Sequence, residues 1–264
     1  MKQDIHSIEV HNLTVSYDGK PVLWDIDFNL DAGQIIGIIG PNGSGKTTSL
    51  KAIMGLLKPA SGFVKIFGKS LDEVRDRVAY VPQRESVDWD FPASVLDVVL
   101  MGRSKSQNLF RRANKTDIDI ALQSIEKVGL TDYKNRQISQ LSGGQQQRVF
   151  IARALAQQAD LYLMDEPFVG VDAATESAIL ELLREMKSNG KTVLIIHHDL
   201  QTVSDYFDYL VLLNTRLIAK GTPPEVLTRE NLSNAYGGQL TLLSKIVDLI
   251  KQNEFPVREK GFDL

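Results

Sequence analysis

The chain has 264 residues, of which 43% are hydrophobic and 24% are charged, and its formal net charge is −3. This composition is typical of a globular protein of one or two domains, and the small negative charge leads us to expect no nucleic-acid partner. The sequence contains no cysteine, which excludes disulfides and thiolate metal sites and fits a cytoplasmic protein. No apolar stretch is long enough to cross a bilayer, so any membrane role is expected to come through a partner.

Residues 8–30 predict an antiparallel β lobe. Apolar and polar residues alternate up to Tyr17, an Asp-Gly turn follows, and a second apolar run comes after it. This pattern predicts two or three strands. Tyr17 stands at the end of the first strand, where its ring can stack on a nucleotide base, although a lone aromatic residue more often belongs to a core.

The next stretch fits the glycine-rich phosphate loop, since it lies between a short apolar run and an amphipathic helical pattern. Its residues are Gly40, Pro41, Asn42, Gly43, Ser44, Gly45, Lys46, Thr47 and Thr48. The glycines let backbone N–H groups converge on phosphate oxygens at a helix N-terminus. Lys46 is expected to reach the β- and γ-phosphates of ATP, and the Thr47 hydroxyl to ligate Mg²⁺. The alternative, an ordinary glycine-rich turn, is disfavoured by the complete pattern.

Strand and helix patterns alternate after residue 34, which predicts an α/β fold with a mainly parallel sheet as its core. Residues 86–158 are dominated by helical patterns and are expected to form a helical subdomain, in which a basic stretch at 109–115 is interpreted as a solvated connection. Residues 226–264 are predicted to be a C-terminal helical extension, with one helix at 240–251.

Polar residues follow two of the predicted buried strands. One apolar run ends in Asp165 and Glu166, an arrangement typical of phosphate-loop ATPases, in which the aspartate holds Mg²⁺ through its hydration shell. His197 and His198 follow a second run at 192–196. Successive strand positions face opposite sides, so the two histidines are not expected to share a metal ion. His197 is therefore interpreted as a packing or polar contact.

A further glycine-rich turn separates this chain from other phosphate-loop proteins. It consists of Ser142, Gly143, Gly144 and Gln145. Alone, such a turn before a helix is common. Together with the phosphate loop upstream, Gln83 between them and the acidic pair downstream, it resembles the signature of ATP-binding cassette (ABC) ATPases. The resemblance covers residues 5–225, which are expected to form one ABC ATPase domain.

The resemblance implies roles for matching residues of one subunit. Tyr17 is expected to stack on adenine, and Gln83 to sense Mg²⁺ and the attacking water. Asp165 matches the carboxylate associated with Mg²⁺, and Glu166 the carboxylate that polarises the hydrolytic water. His198 matches a switch histidine near the γ-phosphate.

The resemblance also implies a homodimer. Members of the family pair head to tail, so Ser142–Gln145 of one subunit is expected to close over the nucleotide of the other. Asp172 belongs to a loop that is expected to cross the dimer interface. ATP then lies between two subunits and stabilises their association.

A finer match points to one branch of the family. Residues 81–92, 97–103, 168–175 and 197–199 look like the cassette ATPases of bacterial importers for manganese, zinc or chelated iron. The resemblance implies ATP hydrolysis coupled to import of a transition-metal ion, with manganese the first expectation. It also implies integral-membrane permease subunits, indirectly an extracytoplasmic metal-binding protein, and a cytoplasmic location on the inner face of the plasma membrane.

Trp89 and Phe91 are expected to form an apolar patch where the permease docks. The alternative for Trp89 is packing inside the helical subdomain, because buried tryptophan is common.

For the whole chain, the alternatives are an ABC ATPase of another transport system or one in nucleic-acid maintenance. Chromosome-maintenance ATPases need a long heptad insertion, translation-factor ATPases need two cassettes, and a guanine-nucleotide switch would lack the Ser142 signature.

Overall fold

In a computed structural model of the chain, the structure describes residues 6–104 and 113–237. The predicted basic connection at 109–115 lies partly outside these ranges, and the predicted helix at 240–251 lies wholly outside them.

The strands are β1 Ile8–Tyr17, β2 Lys20–Leu30, β3 Ile35–Ile39, β4 Ser61–Ile66, β5 Val78–Val81, β6 Leu161–Asp165, β7 Thr192–Ile196, β8 Tyr209–Asn214 and β9 Arg216–Gly221. The helices are α1 Lys46–Ile53, α2 Leu71–Val74, α3 Val95–Met101, α4 Lys115–Lys127, α5 Gly143–Ala156, α6 Ala173–Ser188, α7 Val203–Tyr206, α8 Pro223–Val226 and α9 Arg229–Tyr236. Short 3₁₀ turns occur at Arg75–Arg77, Arg84–Ser86, Thr131–Tyr133 and Ile138–Gln140.

The first sheet is antiparallel, with the strand order β2-β1-β4. Val10, Leu13 and Val15 of β1 are buried, as an alternating pattern predicts for a strand with one face on a core. Asp18 and Gly19, with φ angles of 49° and 76°, form the tight turn between β1 and β2. The predicted antiparallel lobe is confirmed.

The second sheet is the predicted core sheet, with the order β5-β6-β7-β3-β8-β9. Neighbours from β5 to β8 are parallel, whereas β9 pairs antiparallel with β8. No strand was predicted for residues 209–221, although the apolar run 210–213 is a strand signal. Thr215, with a φ of 59°, closes the β8–β9 hairpin.

Alternate side chains of the core sheet face two different cores. Ile36 and Ile38 of β3 pack with the antiparallel sheet and α1, whereas Ile35 and Ile39 pack with residues of the helices on the other side. Both faces of the sheet are therefore buried. This explains why β3, β6 and β7 are continuous apolar runs rather than alternating ones.

The predicted helical region is confirmed, because α3, α4 and α5 lie between β5 and β6 and pack against one another. The domain limits at 5–225 and 226–264 remain predictions. Within the latter, α9 packs on β8, and Asn214 Nδ2 donates a hydrogen bond of 2.9 Å to the Ala235 carbonyl. In the described ranges, no helix combines the length and apolar character needed to span a membrane.

Candidate active site

Four of the predicted groups meet at one edge of the core sheet. The phosphate loop follows β3, Asp165 ends β6, and Gln83 and His198 come two residues after β5 and β7 respectively. The strands β5, β6, β7 and β3 are neighbours in this order. Because the carboxyl ends of parallel strands share an edge, these groups lie around one crevice, the usual ligand position in open α/β sheets.

Two glycines of the phosphate loop are required by close packing of the backbone. Gly40 has a φ of 150°, and a Cβ there would lie 2.1 Å from the Leu213 carbonyl oxygen. Gly45 has a φ of 97°, and a Cβ there would lie 2.5 Å from Leu23 Cδ2. Both positions exclude a side chain, so the loop lies tightly against β2 and the end of β8.

The phosphate loop holds polar groups that suit an anion. Within the described residues, the buried Ser44 hydroxyl has no hydrogen-bond partner. Helix α1 begins at Lys46, and its N-cap residue, Gly45, provides no side-chain cap. Lys46 Nζ donates to the carbonyl oxygens of Gly40 and Pro41, at 2.9 and 3.0 Å. Unused donors at a helix N-terminus, beside an ammonium group, fit the phosphates of ATP.

The charges beside the loop suit a divalent cation. Thr47 Oγ1 lies 3.5 Å from Asp165 Oδ1, and burial, together with the charge of Glu166, raises the pKa of Asp165 to about 6. Burial lowers the pKa of Lys46, and the two carboxylates oppose that shift. The Thr47 hydroxyl and the Asp165 carboxylate supply oxygen donors of the kind that Mg²⁺ prefers, and the neighbouring Glu166 adds negative charge.

Lys51 is a charged neighbour of the site that was not predicted from the sequence. Its positive charge lowers the pKa of Asp165 more than the charge of Lys46 does. The available signal was its position four residues after Thr47, on the same face of α1. Lys51 therefore stabilises the ionised form of Asp165.

Replacing Asp165 by Asn is expected to stabilise the nucleotide-free protein at pH 7. A carboxyl whose pKa rises from 3.8 to about 6 on folding costs up to roughly 2–3 kcal/mol of stability when ionised. This cost is absent below the unfolded-state pKa of 3.8, grows between 3.8 and the folded-state value of about 6, and is constant above it. Calorimetry without nucleotide should show a larger gain in melting temperature at pH 7.5 than at pH 5. Equal gains at both values would contradict the raised pKa.

The three predicted catalytic residues form a connected group. Gln83 Nε2 donates a hydrogen bond of 3.1 Å to Glu166 Oε2, and His198 Nδ1 lies 3.6 Å from Glu166 Oε1. Glu166 has a φ of 50°, a left-handed conformation that costs a non-glycine residue about 1–3 kcal/mol and recurs at functional sites. The bend turns the Glu166 side chain toward Gln83 and His198.

His197 is buried and packs as predicted. Its Nε2 lies 2.8 Å from Thr202 Oγ1, and its ring meets the Phe168 ring edge-on at a centroid distance of 5.7 Å. Burial, and then the neighbouring His198, lowers the pKa of His197 to about 4, so the ring is neutral at pH 7. A pocket of about 250 Å³ adjoins these residues. It is lined by Glu166, Phe168, Val169, Gly170, Glu176, His197, His198 and Asp199.

The signature segment starts α5 through its own capping box. Ser142 Oγ accepts a hydrogen bond of 3.3 Å from the Gln145 N–H, and Gln145 Oε1 accepts one of 2.9 Å from the Ser142 N–H. In residues 6–104 and 113–237, no hydrogen bond joins Ser142–Gln145 to the phosphate loop. The chain folded by itself therefore does not connect these two motifs by hydrogen bonds.

The other predicted site residues lie around this segment or at the protein surface. Asp172 begins α6, where its Oδ1 accepts a hydrogen bond of 2.8 Å from the Thr175 N–H, and hydrogen bonding lowers its pKa. A Cβ at Gly144 would lie 3.5 Å from Thr175 Oγ1, so the Asp172 and Ser142 segments are neighbours.

Tyr17 is 46% exposed. The core alternative for Tyr17 is wrong, and its ring is accessible for stacking.

Trp89 and Phe91 differ in environment. Trp89 is half-buried, its Nε1 donates a hydrogen bond of 2.9 Å to the Arg84 carbonyl oxygen, and its ring meets Phe150 edge-on. Phe91 is 53% exposed. The packing interpretation therefore describes Trp89, and Phe91 alone keeps an open aromatic surface.

A phosphate loop, an acidic pair on a nearby strand and a glycine-rich turn that begins a helix define a phosphate-loop ATPase with an added signature segment. The model of the family described as ABC transporter matches residues 23–169. The chain belongs to this family, as the resemblance indicated, and it is an ATP-binding subunit that hydrolyses ATP.

Individual relatives agree with this assignment. The chain is 59% identical to the manganese transport system ATP-binding protein MntB of Bacillus subtilis, over 89% of this chain and 94% of that protein. It is 56% identical to the zinc transport system ATP-binding protein TroB of Treponema pallidum, over 89% of each. An inward-facing metal-chelate type ABC transporter matches its structure with a TM-score of 0.77 and 32% identity, covering 88% of this chain and 89% of that one.

Proposed function

We propose that the chain is the ATP-hydrolysing subunit of a bacterial importer for a transition-metal ion, with manganese as the first candidate and zinc or chelated iron as the others. The observation that carries the hydrolytic part is the contact of Glu166 with both Gln83 and His198 at the edge that holds the phosphate loop. The names of the manganese and zinc transport relatives support the cargo.

In the proposed mechanism, Lys46 exchanges its two carbonyl acceptors for oxygens of the β- and γ-phosphates. Glu166 accepts a proton from the attacking water, while the Gln83 hydrogen bond fixes its carboxylate and His198 lies beside the γ-phosphate. Mg²⁺ held by Thr47, Gln83 and Asp165 would neutralise charge on the phosphates. Tyr17 stacks on the adenine ring.

The complete site is proposed to need two copies of the chain. The Ser142 Oγ accepts the capping hydrogen bond from Gln145, which leaves its O–H free to donate to a phosphate. The first N–H groups of α5 have no partner within their own helix. These donors, with Asp172 at the interface, would cover the nucleotide bound by the partner's phosphate loop, where donors aimed at developing charge are effective.

The proposed partners follow from the same assignment. The subunit lies in the cytoplasm at the inner face of the plasma membrane, bound to permease subunits, and an extracytoplasmic metal-binding protein delivers the ion. Phe91 is the side chain that we propose for permease contact, because it is the exposed member of the Trp89–Phe91 pair.

Replacing Phe91 by Ser is expected to weaken assembly with the permease roughly tenfold, the size of loss typical of an aromatic interface residue. ATP affinity of the isolated subunit should not change. Phe63→Ser is the matched control, because Phe63 is similarly exposed, at 50% against 53%, but lies on the antiparallel sheet. Co-purification of each variant with the permease from membranes measures its assembly. Equal assembly of the two variants would argue against docking through Phe91.

Uptake of metal ions into reconstituted vesicles tests which ion is transported. The subunit, its permease and its binding protein are reconstituted with ATP, and uptake of Mn²⁺, Zn²⁺ and chelated iron is compared. Uptake of one metal that requires ATP and is lost with Glu166→Gln supports the proposal. ATP hydrolysis without uptake of any of them would instead favour another transport system or nucleic-acid maintenance.

A further inference from the structure

The segment that follows Gln83 is held against helix α5 by the side chains of Arg84 and Trp89. Arg84 Nε donates a hydrogen bond of 3.0 Å to Gln146 Oε1. Trp89 donates to the Arg84 carbonyl oxygen and packs edge-on against Phe150 at a centroid distance of 5.3 Å. Gln146 and Phe150 are one turn apart on α5, so both contacts fall on the same face of that helix.

Both polar atoms of the Gln146 side-chain amide form hydrogen bonds. It is 5% exposed, and its Nε2 donates a hydrogen bond of 3.1 Å to the Ile138 carbonyl oxygen, while its Oε1 accepts from Arg84. This arrangement fixes the orientation of the amide. Removing the Arg84 donor would leave a buried oxygen without its partner, which is costly.

The Arg84 guanidinium also lies directly against the signature turn. A Cβ placed on Gly143 would be 3.1 Å from Arg84 Cζ and 3.2 Å from Nη1. The guanidinium therefore covers the side of Gly143 that any other residue would fill. Arg84 therefore cannot move closer to the start of α5 without shifting the Gly143 backbone, and it cannot move away without breaking the Gln146 hydrogen bond.

We propose that Arg84 is a positioning residue that couples the position of Gln83 to the position of the glycine-rich turn Ser142–Gln145. Gln83, its neighbour in sequence, touches Glu166 in the ATP site of its own chain. Gly143, its neighbour in space, belongs to the turn that covers the partner's nucleotide. Arg84 makes these two parts move together, so that the glutamine reaches its working position when the signature turn reaches the partner. The inference rests on the two-chain site of the proposed function.

The first test replaces Arg84 by Met, which keeps an unbranched apolar side chain but removes the guanidinium and its donors. Affinity for ATP, measured on the isolated subunit with a fluorescent analogue, should stay unchanged, because within the described residues no hydrogen bond or ion pair joins Arg84 to the phosphate loop. The kcat should fall about tenfold, as expected when a buried hydrogen bond that aligns the site is lost. Arg75→Met is the control, because the exposed Arg75 side chain pairs with Asp72 at the surface, and its kcat should equal that of wild type.

Two more variants separate positioning from general stability. Arg84→Lys keeps the positive charge and places an ammonium donor one bond beyond the Nε that donates to Gln146, and it should recover part of the lost kcat. Gln146→Met combined with Arg84→Met should lower kcat no further than Gln146→Met alone, since both changes break the same contact. Melting temperatures of all variants are recorded, and variants that do not fold are judged through Arg84→Lys.

Three results would overturn the inference. They are a wild-type kcat in Arg84→Met, equal losses in the Lys and Met variants, and additive losses in the double variant. In each case the wild-type protein still hydrolyses ATP and still dimerises when ATP is added, so the proposed function stands. A wild-type protein without ATP-dependent association would overturn the two-chain site, and the inference with it.

Discussion

A Glu166→Gln variant is expected to bind ATP as wild type does and to hydrolyse it roughly 10²–10⁴-fold more slowly, the range for loss of a general base. Glutamine has nearly the same shape, and its amide oxygen can still accept the Gln83 hydrogen bond seen at 3.1 Å. It cannot accept a proton from water. The ATP-bound dimer should therefore accumulate.

Steady-state turnover and size-exclusion chromatography with ATP and Mg²⁺ measure the two effects. Glu176→Gln is a suitable control, because Glu176 lines the same pocket as Glu166 but accepts its hydrogen bond from the Tyr206 hydroxyl. It should keep nearly normal turnover. Near-normal turnover in Glu166→Gln, with no shift in elution on adding ATP, would remove Glu166 from its proposed role.

A mixture of two inactive variants is expected to regain ATP-dependent association. Lys46→Ala removes the charge that faces the phosphates, and Ser142→Arg places a side chain too large for close approach to a phosphate. Each change alone should reduce turnover by about 10²–10³, the loss typical of one preorganised electrostatic contact. In a head-to-tail pair, one site combines the intact Lys46 of one subunit with the intact Ser142 of the other, and the second site carries both lesions.

Chemical cross-linking of the mixture, beside each variant alone, measures this recovery. Association should increase with ATP in the mixture, and turnover returns in part unless the two sites are strictly coupled. A site built within one chain offers no such route. Cross-linking of the mixture no better than that of either variant alone would refute the composite site.

Local patterns were sufficient to predict most of the elements. The strands β3, β6 and β7 were predictable because burial on both faces makes them uninterrupted apolar runs. Helix α6 was predictable because its apolar residues, Ile179, Leu182, Leu183 and Met186, repeat at helical spacing and are buried. The hairpin at 209–221 was missed, since its antiparallel partner strand β9 is only half-buried and has a weak pattern.

The sequence by itself determined the chemistry of this protein, because the phosphate loop, the acidic pair and the signature turn are each short runs whose residue types and order are specific. Only the tertiary structure decided which groups meet. The Gln83–Glu166 hydrogen bond joins residues 83 positions apart, and the Thr47–Asp165 contact joins residues 118 apart. These pairs depend on the order of strands in the core sheet. That order results from packing between distant segments, so no local spacing in the chain encodes it.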